Sequence, residues 1–124
     1  YHAVHLGDVL WPQPPRGAEA AARAGLEALP AGAWAISDEP GLVWRTGRRT
    51  PADLVDTSVL RIDSGRITAA SLAEEAADPR VCAVLVWSSR FGRFTELPRL
   101  LAGYREAARY GGPRVLYVKD PCTP

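Results

Sequence analysis

The sequence predicts an α/β fold, a three-layer sandwich in which helices cover a mainly parallel sheet of about four or five strands. Short apolar runs alternate with segments of helical periodicity, a pattern typical of strands joined by crossover helices. The run Val81–Trp87 is apolar throughout, which predicts a central strand buried on both faces. Because 124 residues suit one domain, we expect residues 1–124 to form a single soluble domain, with residues 1–15 leading in from a preceding region.

The first half of the chain alternates between extended and helical patterns. We expect a strand or extended segment, a helix, a buried strand and a turn, in the order Ala3–Trp11, Arg16–Leu29, Ala33–Ser37 and Asp38–Gly41. Prolines directly follow the first two segments and end them. Further on, Thr50 and Pro51 have the order of a helix start, with the threonine as cap and the proline at the first helical position.

The second half of the chain continues with a strand, a helix, the central strand, a longer helix and a last strand. In that order the predicted bounds are Val59–Ile62, Thr68–Ala77, Val81–Trp87, Thr95–Tyr110 and Val115–Val118. Gly111, Gly112 and Pro113 form a strong helix stop before the last strand. Strands separated by helices in this way predict parallel pairing in most of the sheet.

Charge and composition limit the classes of partner. A net charge of +1 gives no concentrated basic face, so we expect no nucleic acid partner. The chain contains no Met and begins at Tyr1, which predicts a piece of a longer protein. Its longest apolar run has seven residues, far fewer than the roughly 20 that a membrane-spanning helix needs.

The two cysteines, Cys82 and Cys122, are too few for a disulfide scaffold. Cys82 opens the central strand, and Cys122 lies just beyond the last strand. If these strands are parallel neighbours, the two sulfur atoms lie near opposite ends of the sheet, too far apart to bridge. We therefore expect free thiols, and a disulfide remains the alternative.

The sequence contains no group of residues that predicts catalysis. His2 and His5 are the only histidines, and no other metal ligand stands near them, so we expect neither a nucleophilic triad nor a metal site. Glycine-rich phosphate loops are absent, and we expect no cofactor. Asp38 and Glu39 follow a strand, but acidic residues in such turns more often form local caps.

The segment from Leu42 to Ile62 is polar and rich in turns, and it is the candidate working surface. Its candidate ligand or docking residues are Arg45, Arg48, Arg49, Asp56 and Ser58. Two arginines directly before a helix start suit a phosphate. The favoured alternative is that Arg48 and Arg49 pair with Asp53, Asp56 or a facing acid and brace the loop.

A second candidate loop carries Arg90 and Arg93, directly after the central strand. The carboxyl ends of parallel strands meet at one edge of a sheet, so this loop and Asp38 are expected at the same edge. The two arginine-bearing loops are therefore predicted to form one surface. Trp44 lies near the first loop, where its ring either faces a lipid interface or a sugar, or packs at an edge.

Several blocks of the chain together match the pattern of a known family. They are Ile36-Ser37-Asp38-Glu39-Pro40, Thr46-Gly47-Arg48-Arg49-Thr50-Pro51, Leu54-Val55-Asp56-Thr57-Ser58, Arg61-Ile62, Ser64-Gly65 and Thr68. Over roughly Ala33–Lys119 the chain resembles the C-terminal soluble region of bacterial multi-pass glycosyltransferases of the GT-C superfamily, related to family 39 and to protein mannosyltransferases. The Asp-Thr-Ser block after a Gly-Arg-x-x-Pro loop is the most specific part.

The resemblance implies a parent enzyme with many membrane helices that takes a sugar from a polyprenyl-phosphate carrier. In such enzymes the catalytic acid lies in a loop between early membrane helices, so no catalytic residue is carried over to this chain. The resemblance implies a domain on the extracytoplasmic face of the bacterial cell membrane. Its expected partners are the transmembrane part of the same polypeptide and the carrier-linked sugar or a glycan acceptor. The alternative is a stand-alone α/β module that binds a small phosphorylated anion.

Overall fold

The apolar run Val81–Val86 forms the centre of the sheet, as its pattern predicts. The computed structural model describes residues 14–124, and these contain a four-stranded sheet. The strands are β1 (Trp34–Ser37), β2 (Val81–Val86), β3 (Tyr104–Arg109) and β4 (Val115–Lys119), in the spatial order β1-β2-β4-β3. β1 and β2 are parallel, whereas β4 is antiparallel to both β2 and β3. The α/β class is confirmed, and the sheet is mixed rather than mainly parallel.

Short helices connect and flank the strands. Within residues 14–124 they are α1 (Ala18–Glu27), α2 (Pro40–Arg45), α3 (Val59–Asp63), α4 (Ala69–Ala76), α5 (Ser89–Gly92) and α6 (Leu97–Leu100). Ala52–Leu54 adds a single 3-10 turn. None of these helices has the length and apolar character needed to cross a membrane.

The core consists of two clusters of buried side chains that share β2. Leu85 packs in one cluster with Leu26 of α1. The neighbouring Val84 and Val86 pack in the other cluster with Leu72 of α4. Successive side chains of a strand point to opposite faces of the sheet, so β2 contributes to a core on each side. The two clusters explain why this strand has no polar residue.

Two of the predicted helices are confirmed with small shifts at their ends. α1 begins two residues later and ends two residues earlier than expected for Arg16–Leu29. α4 is one residue shorter at each end than the predicted Thr68–Ala77, and it begins after Thr68 because Thr68 and Ser71 form a capping box. The predicted strand or extended segment Ala3–Trp11 lies outside the described residues.

The predicted helix Thr95–Tyr110 is wrong. Only α6 is helical in this range, and the chain then turns at Gly103, whose φ of 82° favours glycine. The following residues form the edge strand β3, most of whose side chains are exposed. The apolar residues Leu97, Leu100, Leu101, Tyr104 and Ala108 fall at helical spacing, but pairing with β4 across the Gly111 turn makes Tyr104–Arg109 a strand. A short hairpin of this kind is necessarily antiparallel.

The predicted strand Val59–Ile62 is also wrong, because this stretch forms helix α3. Ser58 caps the helix by accepting a hydrogen bond from the backbone N–H of Arg61, at 3.4 Å. Ile62 anchors the helix in the core.

Two local expectations before α3 need correction. The stretch Asp38–Gly41 was expected to be a turn, but helix α2 begins at Pro40, which occupies the first helical position. Thr50 was expected to cap a helix. The 3-10 turn follows Pro51 instead, and the hydroxyl of Thr50 is buried without a hydrogen-bond partner.

Cys82 and Cys122 form a disulfide, contrary to the expectation of free thiols. Their Cα atoms lie 5.5 Å apart. The reason is the direction of β4: Ala83 pairs with Val118, so the end of β4 lies beside the start of β2. Cys122 follows the end of β4 by a few residues and therefore lies close to Cys82. Parallel strands would place the two cysteines at opposite ends of the sheet.

Candidate functional site

Asp38 lies at the carboxyl end of β1 and is fully buried. Its carboxylate accepts hydrogen bonds from the backbone N–H groups of Trp87, Ser88 and Phe91, at 2.8, 2.9 and 2.9 Å, and from the Ser88 hydroxyl at 2.8 Å. Burial raises the pKa of Asp38, and the four hydrogen bonds oppose that shift. The carboxylate therefore joins β1 to the loop after β2. The expected local cap is therefore wrong, because Asp38 caps a loop that is distant in sequence.

Arg114 is a buried charged residue that the sequence did not single out. It lies directly before β4, is 4% exposed, and places its guanidinium carbon 5.3 Å from the centre of the Trp87 ring. Its Nε and Nη1 atoms are buried without a hydrogen-bond partner. Burial lowers the pKa of Arg114, and the negative charge of Asp38 opposes this shift. The sequence signal was weak: an arginine between a turn and an apolar strand.

Arg48 braces the fold through backbone carbonyl groups rather than through acidic side chains. Its Nη1 donates to the carbonyl oxygens of Pro30 and Ala33, and its Nη2 donates to those of Glu27 and Leu29, at 2.5–3.4 Å. These carbonyls follow the last turn of α1, where a helix lacks intrahelical partners and favours positive charge. The expected pairing of Arg48 with an acidic side chain is not what the structure shows, since its hydrogen bonds go to backbone carbonyls of residues 27–33.

Arg49 occupies a more open position beside β1. Its backbone oxygen accepts the N–H of Ala35, while its side chain is exposed. A cavity of about 310 Å³ lies here, lined by Gly32, Ala33, Trp34, Gly47, Arg48 and Arg49. Arg48 already gives its terminal nitrogens to carbonyls, and the expected helix start is only a 3-10 turn. Of the phosphate cradle that the sequence suggested, Arg49 alone retains an uncommitted charge.

Arg45 and Arg90 lie at the other end of β1 from Arg48. Arg90 donates from Nε to the Ser88 hydroxyl at 3.2 Å, and its Nη2 lies 4.0 Å from Glu39. Arg45 lies 3.8 Å from Glu19 in an exposed ion pair. The loop after β2 and Asp38 share one edge, as predicted. The expectation of a single arginine-lined surface is wrong, because α2 returns the chain to the start of β1 before Arg48 and Arg49.

The remaining candidate residues make local contacts. Arg93 pairs with Asp63 at 2.8 Å and so connects the loop after α5 to α3. The carboxylate of Asp56 accepts the backbone N–H of Ser58 at 3.0 Å, and Ser58 in turn caps α3. The Asp-Thr-Ser block thus shapes the start of a helix. Thr57, its middle residue, is buried with an unpartnered hydroxyl.

A second cavity, of about 300 Å³, lies between the 3-10 turn and α4. Asp53, Leu54, Arg61, Arg66, Ile67, Ser71 and Glu75 line it. Burial raises the pKa of Glu75, and the negative charges of Asp53, Asp78 and Glu74 act in the same direction. Asp53 was expected only as a partner for the arginines of the working segment. The cavity was not predicted, because its lining comes from separate elements: the 3-10 turn, α3, α4 and the segment between these two helices.

The part of the chain that the structure describes contains no group of three or more His, Cys, Asp or Glu side chains placed to hold a metal ion. His2 and His5 lie outside it. Comparison of the chain with models of known families, with curated proteins and with solved structures found no match.

Proposed function

We propose that this chain is the extracytoplasmic C-terminal domain of a bacterial multi-pass glycosyltransferase that uses a polyprenyl-phosphate-linked sugar. The domain itself is non-catalytic in this proposal. It docks on the transmembrane part of the same polypeptide or contacts the carrier or the acceptor. The block from Ile36 to Thr68, with its resemblance to this family, is the basis of the proposal.

The disulfide between Cys82 and Cys122 is the structural observation that supports the location. Cys82 is fully buried and its bond closes a separation of 40 residues. Disulfides persist in oxidising compartments and are rare where thiols are kept reduced. A structural disulfide in the centre of the fold therefore fits a domain exposed outside the cytoplasm.

A non-catalytic role is supported by how the polar groups are used. The buried carboxylate of Asp38 receives hydrogen bonds from four protein donors, so it has no capacity to act as a general base without disrupting the loop. Arg48, Arg93 and Ser58 are engaged in bracing and capping. Among residues 14–124, these hydrogen bonds and ion pairs stabilise the fold.

Docking is supported by the exposed end of α2. Trp44 is 57% exposed, and Arg45 beside it makes only a long ion pair. A tryptophan next to an arginine suits the boundary between lipid and water, where the ring is partly desolvated and the charge reaches headgroups or water. We also infer a three-layer arrangement, in which the two core clusters lie on opposite faces of the sheet. In this arrangement α2 belongs to the layer that faces the docking partner of the domain.

Fusion of reporters to the full-length protein tests this proposal. Alkaline phosphatase joined after Pro124 is expected to be active, because it folds only outside the cytoplasm, and green fluorescent protein at the same position is expected to be dark. The opposite pattern would remove the extracytoplasmic assignment. A reading frame that encodes no apolar spans before Tyr1 would remove the membrane enzyme.

The contact role has a separate test in the full-length enzyme. Trp44→Ala together with Arg45→Ala is expected to reduce sugar transfer in membranes while leaving the melting temperature of the chain nearly unchanged. Arg105→Ala is the matched control, because it removes an exposed arginine of the edge strand β3. Equal transfer by both variants would rule out docking through α2.

The alternative of a stand-alone anion-binding module has one structural feature in its favour, the cavity of about 310 Å³ beside Arg49. Titration of the chain with inorganic phosphate distinguishes the two functions. Saturable binding that Arg49→Gln abolishes would favour the module, and a flat titration would leave the membrane proposal.

A further inference from the structure

The cavity between the 3-10 turn and α4 contains charged side chains that do not pair with one another. Asp53 and Glu75 carry negative charge, and Arg61 and Arg66 carry positive charge. Among residues 14–124, no ion pair within 4.0 Å involves any of these four side chains. Exposed ion pairs contribute little to stability, so opposite charges can remain unpaired around a cavity of about 300 Å³. These four side chains are therefore available to a ligand.

Arg61 is held in place by the turn that precedes it. Its Nη1 donates to the backbone oxygens of Asp53 and Asp56, the latter at 2.7 Å. The guanidinium therefore lies across the 3-10 turn, and its Nε and Nη2 donors remain available to the cavity or to water. Because its position is determined by backbone acceptors, Arg61 does not need a carboxylate partner to stay there.

Arg66 is positioned by the end of α3. Gly65 adopts a φ of 79°, its N–H donates to the oxygen of Ile62 at 3.1 Å, and the N–H of Arg66 donates to the oxygen of Arg61 at 3.0 Å. These two bonds form a Schellman motif, which requires a left-handed residue at the position of Gly65. The motif turns the chain directly into the cavity wall, and Arg66 is exposed at that point.

Glu75 lies on the opposite wall, on α4. Asp53 and Glu75 both line the cavity. Burial raises the pKa of Glu75, and the negative charge of Asp53 acts in the same direction. Leu54 and Ile67 are buried and form the apolar part of the lining. The cavity thus combines carboxylate acceptors, guanidinium donors and an apolar surface.

We propose that this cavity binds a single neutral sugar ring. A phosphate would be repelled by Asp53 and Glu75, and a cation would be repelled by Arg61 and Arg66. A hydroxyl group both donates and accepts, so a ring of hydroxyls satisfies carboxylates and guanidinium groups at once. The volume of about 300 Å³ lies at the small end of ligand pockets, which suits a single ring.

The role of this site rests on the proposed function, in which the sugar would belong to the acceptor or to the carrier-linked donor. Sugar binding by the chain itself is expected wherever the chain is located. A chain that is exported but binds no sugar therefore removes the site and keeps the membrane role. A chain that binds sugar but is not exported removes the membrane role and keeps the site.

The test is a titration of the isotope-labelled 124-residue chain, followed by amide NMR shifts. The probes are the methyl pyranosides of glucose, mannose and galactose, with inorganic phosphate as the anionic comparison. We expect saturable shifts around Ile67, Ser71 and Glu75 with at least one sugar. The Kd is expected at roughly 1 mM, as the size of one ring allows.

Matched variants separate the site from a general effect of charge. Glu75→Gln is expected to weaken binding about tenfold, whereas Glu74→Gln, on the exposed side of the same helix, leaves it unchanged. Arg66→Gln is expected to weaken binding similarly, with Arg99→Gln as its control. Glu75→Gln removes an unfavourable charge, so the variant is expected to fold.

Four results would overturn the proposal. They are the absence of saturable shifts with all three sugars, shifts that lie away from the cavity, equal effects of Glu74→Gln and Glu75→Gln, and phosphate binding at this cavity that is tighter than sugar binding.

Discussion

Reduction of the disulfide between Cys82 and Cys122 is expected to lower the stability of the domain by about 4 kcal/mol. The bond closes a separation of 40 residues that includes α5, α6, β3 and β4. Cross-linking removes conformations from the unfolded chain, and the loop-closure relation gives about 13 cal/mol/K for a loop of this length, hence the value above at 25 °C. Domains of this size are stable by about 5–15 kcal/mol, so the loss is a large fraction.

Urea unfolding of the oxidised chain, with and without a phosphine reductant, measures this difference. Reduction adds only two hydrogen atoms, so the comparison leaves packing almost unchanged. Mass spectrometry of the unreduced protein checks that the bond is present. The variant with Cys82→Ala and Cys122→Ala is the control, and the reductant is expected not to change its midpoint.

A loss below about 1 kcal/mol on reduction would refute the reasoning, because the loop-closure term would then be absent or cancelled. A free-thiol mass for the protein produced under oxidising conditions would refute the pairing itself. That result would also remove the main structural support for an extracytoplasmic location.

Three further perturbations test the contacts around the site. Arg48→Ala is expected to lower the free energy of unfolding in urea by about 2–3 kcal/mol, because it removes charged donors from the end of α1. Arg49→Ala is expected to change it by no more than about 0.5 kcal/mol, and equal losses would contradict the bracing role of Arg48. Asp38→Asn is expected to cost about 2–3 kcal/mol, because an amide N–H₂ would replace an oxygen that accepts backbone N–H groups, and an unchanged melting temperature would show that the loop does not depend on them. The hydrogen bonds of Arg80 lower the pKa of Asp78 from its ordinary value of 3.8 to about 2, so its stabilisation is present above about pH 4 and is lost as the pH falls through 2. The difference in melting temperature between the wild type and Asp78→Asn should therefore shrink between pH 5 and 2, with Asp63→Asn as a control; a constant difference would exclude this linkage.

The role of Arg48 changes how the candidate surface is tested. A double substitution of Arg48 and Arg49 in a full-length enzyme would combine loss of an α1 cap with loss of an exposed charge. Reduced activity would then report instability as readily as a lost contact. Trp44 and Arg45 are better probes of docking, since their exposed side chains contribute little to the fold.

Much of the local structure follows from the sequence because the determining interactions are close in the chain. Thr68 caps α4 through its neighbour Ser71, and the uninterrupted apolar run of β2 requires burial on both faces. The position of Asp38 and the loop after β2 at one edge followed from the parallel pair. Each of these conclusions needed only propensity, capping or the alternation of side chains.

The candidate site was only partly predictable. Arg48 was expected to brace its loop, but its carbonyl partners precede β1 by a turn whose path the sequence does not reveal. The second cavity draws Asp53 from the 3-10 turn and Glu75 from α4, two residues that lie 22 positions apart in the chain. The helix between these elements, α3, was expected to be a strand. No motif spans such a distance, so this site emerged only from packing.

The sequence by itself determined the α/β class, the central position of β2, and the helices α1 and α4. The tertiary structure decided the direction of β4, the strand identity of β3 and the bond between Cys82 and Cys122. The physical reason is that residues a few positions apart decide helix ends and buried strands. Strand partners and their direction depend on contacts between distant segments, and here the antiparallel return of β4 brought the two cysteines together.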